Sequence, residues 1–210
     1  MPLIKIQNTG NQSAWALWFV SETEQEFSCI VKELPESTIV NSSKRLEWMA
    51  ARALLQQLAE HAGLEYQGII KNEFGKPFLK NHPHHISLSH SFPYVAAQID
   101  LNQEIGIDLE QPKPKLLNIA HRVLSPGELL DAGTDVIKHC VYWCAKETMY
   151  KAHGRRGLHF SEQLQIQPFV LLNGGDIYGK INTTDNPRDL TMTYLIQPDY
   201  VLVHTKTQSS

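Results

Sequence analysis

The chain has 210 residues, and 19 Lys and Arg against 22 Asp and Glu give a formal charge of -3 at pH 7. That length suits one large domain or two small ones, with enough chain to bury a proper core. A weakly negative chain has no global attraction for nucleic acid or an anionic membrane, so any anion site must be local, and no apolar run nears the roughly 20 residues a membrane span needs.

Residues 14–20, Ala-Trp-Ala-Leu-Trp-Phe-Val, read as a buried strand, and a polar, acidic stretch follows to residue 26. Asn41, Ser42 and Ser43 offer caps for a helix over about 44–61, ended by Gly63. Its apolar positions Leu46, Met49, Ala50, Ala53, Leu54 and Leu58 keep the helical period, with Arg45 and Arg52 one face away. Gly75-Lys76-Pro77 is a turn by composition, and its lysine reads as solvated. Residues 94–99 read as a strand, and residues 100–103 as a tight turn into a second strand over 105–109; the pair predicts a hairpin. Pro112 and Pro114 end that strand. A short helix is expected over 116–123, and another opens at Ser125-Pro126-Gly127-Glu128, with Ser125 as N-cap. The main helix of the second half spans about 135–153. The tail alternates short strands, 165–170, 177–181, 190–196 and 200–204, with Gly and Asn turns.

Two acidic segments stand out in this order. In Gly106-Ile107-Asp108-Leu109-Glu110, Ile105, Ile107 and Leu109 alternate to one face, so Gly106, Asp108 and Glu110 share the other. Like charges on one strand face repel unless a cation lies between them, and Gly106 leaves room for something bulky. In the helix, Trp143, Glu147 and Lys151 form one stripe at i,i+4 spacing. Three carboxylates could hold one hard cation with a lysine beside it, which is equipment for phosphate chemistry.

Other candidates have plainer readings. His82, His84, His85 and His90 could be taken for a transition-metal cluster, but Pro83 stiffens the stretch and its neighbours read as a surface turn. His90 differs, falling at a strand-end loop. Cys140 and Cys144 read as buried thiols, and with Cys29 they make an odd, reduced set that fits the cytoplasm. Residues 1–5 lack the features of a signal peptide.

Taken in order, these stretches resemble the long, surfactin-synthetase-activating type of 4'-phosphopantetheinyl transferase. The likeness rests on Gly75-Lys76-Pro77, Ser87-Leu88-Ser89-His90-Ser91, Gly106 through Glu110, Ser125-Pro126-Gly127-Glu128 and Trp143 through Lys151. It covers about 44–160, with Ser87 where Asn is commoner and Thr148 where Ala or Ser is usual.

The resemblance implies an α+β fold of two similar α/β subdomains related by a pseudo-twofold axis, 1–104 and 105–210, with coenzyme A in the cleft between them. It implies transfer of the phosphopantetheine arm of coenzyme A to a serine of an acyl or peptidyl carrier protein, releasing adenosine 3',5'-bisphosphate. The carrier could serve fatty-acid, polyketide or nonribosomal-peptide synthesis. Asp108, Glu110 and Glu147 would be ligands of Mg2+, or of Mn2+, and Lys151 would neutralise phosphate charge. Glu147, directly or through water, would take the serine proton. Ser89 and His90 would contact coenzyme A phosphates. Arg52, with Lys44 or Arg45, would bind the 3'-phosphate, and Gly75, Lys76 and Pro77 would line the adenine end. Glu128 would lie near the metal and Lys151. Arg155 and Arg156 would dock the acidic carrier. The expected setting is a cytoplasmic monomer with no nucleic-acid or membrane partner. The competing readings are a non-catalytic coenzyme A or nucleotide-binding module of the same fold and a metal-dependent phosphohydrolase, which leaves the Ser-His-Ser and Gly-Lys-Pro stretches unexplained.

Overall fold

The computed structural model describes residues 3–10, 13–31, 33–184 and 187–207. The chain divides into two compact units, Met1–Glu104 with Thr207–Ser210, and Ile105–Lys206. Each is α+β.

The first unit opens with strands β1 (Leu3–Gly10) and β2 (Ser13–Phe19), followed by helices α1 (Glu24–Ser28) and α2 (Ser42–His61). Strands β3 (Ile69–Lys71), β4 (Pro77–Leu79), β5 (His85–Ser91) and β6 (Tyr94–Asp100) complete it. The sheet order is β1-β2-β6-β5-β4-β3, with every neighbouring pair antiparallel. Asn41 caps α2 by accepting from Lys44 N, and the apolar stripe of α2 lies on the sheet. Met49, Leu54, Leu55 and Leu58 join Trp18, Phe27, Ile86, Val95 and Ile99 in one core. The polar, acidic stretch after β2 runs into α1, which the sequence reading did not assign. Thr23 and Glu26 form a reciprocal capping box there, and the helix turns Phe27 fully inward.

The second unit contains β7 (Ile107–Glu110), α3 (Lys115–Val123), α4 (Pro126–Ala132), α5 (Val136–His153) and the short α6 (Phe160–Gln163). Strands β8 (Leu164–Ile166), β9 (Gly174–Ile181), β10 (Arg188–Ile196) and β11 (Val201–Thr205) follow. Its antiparallel sheet has the order β7-β11-β10-β9-β8. Helix α5 covers this sheet, burying Cys140, Val141, Tyr142, Cys144, Ala145 and Met149 against Ile177, Met192, Tyr194 and Val203.

The hairpin expected from residues 94–109 does not form. Strand β6 has β2 on one side and β5 on the other, so no edge is left for β7, which pairs with β11 instead. The turn between them is real: Asp100 Oδ1 accepts from Asn102 N and Gln103 N, both at 2.7 Å.

Candidate functional site

In the second unit, Ile105, Ile107 and Leu109 are buried, which aims Asp108 and Glu110 the other way. Gly106 is what brings this strand to α5. A Cβ at Gly106 would overlap the Thr148 carbonyl of α5, so the space expected for a ligand is filled by helix backbone. The Thr148 hydroxyl donates to Val203 O at 3.0 Å, tying the helix to β11. With strand and helix this close, Lys151 Nζ lies 2.6 Å from Asp108 Oδ1 and donates to Ile107 O at 3.0 Å. Trp143, Glu147 and Lys151 are all half-buried on α5, as their stripe implied.

Asp108 and Glu147 are electrostatically coupled. Burial pushes the Glu147 carboxyl up to about 7, the negative charge of Asp108 adds to the rise, and Lys151 opposes it. Glu110 faces α3, where Lys115 Nζ is 3.8 Å from Oε2. The three carboxylates therefore do not form the single cluster expected of them. Among the described residues, no group of three or more His, Cys, Asp or Glu side chains is arranged to hold a metal ion; Lys151 and Lys115 lie beside two of these acids. The donor set still fits a hard divalent cation: it is all carboxylate, from two elements in contact, and the negative charge of Asp108 disfavours ionised Glu147.

Glu128 is placed elsewhere than beside Lys151. Its Oε2 accepts from Ser125 N in the capping box of α4 and meets Lys146 Nζ at 2.6 Å, while Oε1 accepts from Ile166 N at 2.8 Å. Lys146 and Glu128 are almost wholly buried, and Lys146 also donates to Phe160 O. Burial pushes the Lys146 ammonium down and Glu128 pulls it back. This pair joins α4, α5, α6 and β8.

In the first unit, the expected phosphate-binding cations have separate partners. Arg45 reaches Glu24 with its guanidinium at 2.9 Å. Arg52 stacks on the Trp48 ring and meets Glu33 at 3.2 Å. It lines a cavity of about 450 Å³ that also contains Glu33, Glu60, Glu65 and Tyr66. Lys76 is not solvated: its side chain is 8% exposed and 3.8 Å from Glu104. The Gly75-Lys76-Pro77 turn is set by Asn72, whose Oδ1 accepts from Phe74 N and Lys76 N, with Gly75 at a φ of 87° that favours glycine. Ser89 and His90 are neighbours on β5 and point to opposite faces; Ser89 is buried and His90 exposed. The histidine stretch is no simple surface turn, because His84 is 4% exposed.

Lys44 and His90 are the two that the structure brings together, through a residue that sequence reasoning overlooked. The Glu47 carboxylate accepts from Lys44 Nζ at 2.7 Å and Phe92 N at 3.0 Å, and lies 3.2 Å from His90 Nδ1. Burial alone would raise this carboxyl, but His90 and Lys44 outweigh it and hold it down at about 2. A signal existed: Glu47 is a charge placed i-3 from Ala50 and i-7 from Leu54, on the apolar stripe of α2.

Residues 104–203 match the 4'-phosphopantetheinyl transferase superfamily. The chain is similar to a 4'-phosphopantetheinyl transferase of Bacillus subtilis, with 35% identity over 107 residues, 46% of each chain. It is likewise similar to 4'-phosphopantetheinyl transferase Sfp of Bacillus subtilis (strain 168), with 37% identity over 91 residues, 40% of this chain and 39% of that one. It thus spans less than half the length of these two relatives. No described helix is long and apolar enough to cross a membrane. The matched segment contains β7 and α5 whole, with Asp108, Glu110, Glu147 and Lys151 on them, so the likeness to the 4'-phosphopantetheinyl transferase superfamily falls on the two elements that carry these four residues.

Proposed function

We propose that this chain transfers the 4'-phosphopantetheine arm of coenzyme A to a serine of an acyl or peptidyl carrier protein, releasing adenosine 3',5'-bisphosphate. The observation that carries the reading is the meeting of Asp108 with Lys151 at 2.6 Å, beside Glu147, inside the segment that matches the superfamily. Asp108, Glu110 and Glu147 would hold Mg2+ or Mn2+, which when bound supplies positive charge against a pyrophosphate.

The rest falls to the chain itself. The serine hydroxyl attacks the β-phosphorus of coenzyme A, and the bond to the bridging oxygen of the leaving adenosine bisphosphate breaks. Lys151, anchored at Ile107 O, places its ammonium where negative charge builds on the phosphate. Glu147, one helical turn before Lys151, takes the hydroxyl proton directly or through water. Lys44 and His90 are phosphate ligands. Arg45 and Arg52 reach the 3'-phosphate only by exchanging Glu24 and Glu33 for it. Ser89, Gly75, Lys76 and Pro77 are proposed as further coenzyme contacts, and Glu128 as the scaffold behind α5. The exposed Arg155 and Arg156, directly after α5, are the proposed docking site for the acidic carrier. The proposed setting is a cytoplasmic monomer, in keeping with three free cysteines, two of them buried.

The test is to incubate the protein with coenzyme A, Mg2+ and an apo-carrier protein and weigh the carrier. A gain of one phosphopantetheine arm is expected. Tight coenzyme A binding with no gain would instead make the chain a binding module, and release of free phosphate would make it a hydrolase.

A further inference from the structure

Glu47 is a buried carboxylate with no task in the reaction just proposed, yet its contacts converge on that reaction's phosphate ligands. Its side chain is 2% exposed, whereas those of Lys44 and His90 are 58% and 47% exposed. Three donors on two elements meet its two oxygens: Lys44 on α2, His90 at the end of β5, and the Phe92 amide in the β5–β6 turn. The geometry on each is directional. Glu47 takes the Nδ1 side of the imidazole, so that Nε2, across the ring, is directed away from the carboxylate. Lys44 is held one turn along α2 from the same carboxylate. By gripping the Phe92 amide, Glu47 also sets the turn that follows His90.

From this we infer that Glu47 is a positioning residue for anion binding: it orients the His90 ring and the Lys44 ammonium as a pair aimed at one phosphate group of coenzyme A. The inference rests on the reading of Lys44 and His90 as phosphate ligands. A carboxylate behind a histidine is a general means of fixing which ring nitrogen faces outward, as with histidines that ligate metals. Here the outward nitrogen, when protonated, donates to a phosphate oxygen. The arrangement also resolves a conflict between neighbouring cations. Lys44 and a protonated His90 repel, and one buried negative charge between them allows both to serve a single anion.

The experiment is a double-mutant cycle on coenzyme A binding, read by calorimetry without a carrier protein. Glu47→Gln keeps the side-chain length, and its amide oxygen still accepts from the Phe92 amide, so the turn is retained. Its amide NH2 then faces two donors. Glu47→Gln is expected to weaken coenzyme A binding about tenfold, one charge-assisted contact's worth, and His90→Ala to do the same. In the His90→Ala background, Glu47→Gln should cost a further twofold or less, because part of its effect runs through the ring. An equal loss in both backgrounds would make Glu47 a scaffold residue and overturn the inference, as would unchanged binding in Glu47→Gln. Glu47→Asp, which keeps the charge but retracts it, should fall between wild type and Glu47→Gln; a loss as large as that of the amide would count against a charge-borne role. Should the wild-type chain fail to bind coenzyme A at all, the proposed function falls first and this inference with it. Dephospho-coenzyme A, run in parallel, identifies the phosphate: a Glu47→Gln loss that vanishes with this ligand assigns the 3'-phosphate, and a loss that persists assigns the pyrophosphate.

Discussion

Lys151 and Glu47 show what one residue does when two elements meet at it. Lys151 holds a strand carbonyl and the Asp108 carboxylate at once, so Lys151→Ala removes both an anchor and a charge at the proposed phosphate. Phosphopantetheine transfer should fall by about 100-fold or more, measured as the initial rate of carrier modification at saturating coenzyme A. Glu47 carries a pH dependence. Its carboxyl is held at about 2 in the folded chain against an ordinary 4.5, so the fold binds fewer protons than the unfolded chain between those values. The stabilisation, on the order of 3 kcal/mol, is fully present above pH 4.5 and is lost as the pH falls toward 2. Urea unfolding of wild type and Glu47→Gln should therefore show a stability difference that shrinks from pH 5 to pH 2.5. The groups facing it are Lys44, from its own helix, and His90 and the Phe92 amide, from the hairpin.

Elements are brought into register by small features. Gly106 lets β7 lie against the backbone of α5, and Gly106→Ala has no room to relax because its obstacle is the Thr148 carbonyl, not a flexible side chain. It should cost about 3 kcal/mol or more of stability and pull Asp108 away from Lys151; thermal unfolding reads the first effect and the transfer assay the second. The Glu128–Lys146 pair pins α4 and α5 in the same unit. Lys146→Met leaves Glu128 buried and charged, a loss of about 3–5 kcal/mol. Adding Glu128→Gln should recover part of it, since the amide still accepts from Ser125 N or Ile166 N. Legibility followed the same division. Helices α2 and α5 declared themselves because each carries several turns of apolar periodicity with a capping residue at its start, Asn41 or Asp135. Helix α1 did not, because five residues are too few for a period and its capping box sits in a run of acids. Strands β3 and β4, at three residues each, are set by pairing with one another and not by pattern.

At the scale of the whole molecule, the net charge of -3 conceals local basic groups. Gly154, at a φ of 73°, ends α5 and releases Arg155 and Arg156 onto the surface. Reversing both charges, Arg155→Glu with Arg156→Glu, should raise the KM for the carrier about tenfold while leaving the dissociation constant of coenzyme A unchanged, because steering and docking of a charged partner depend on such rim groups. Equal carrier KM values for the two proteins would remove this loop from the docking surface.

The sequence by itself determined the acidic strand, the Trp143-Glu147-Lys151 stripe and the order of the motifs, because alternation and helical period are properties of neighbouring residues. Tertiary structure decided which charges meet. Asp108 is matched to Lys151, Glu110 to Lys115, Glu128 to Lys146 and Lys76 to Glu104, pairings that span up to 43 residues of chain in the case of Asp108. It also decided that β7 joins β11 and not β6, since a strand's partner depends on which sheet edges remain open. And it singled out Glu47, whose importance lies in reaching His90 and Phe92 more than forty positions away; the contact to Phe92 spans 45 residues. Ion pairs and sheet edges are settled by distance in space, and local pattern carries no record of it.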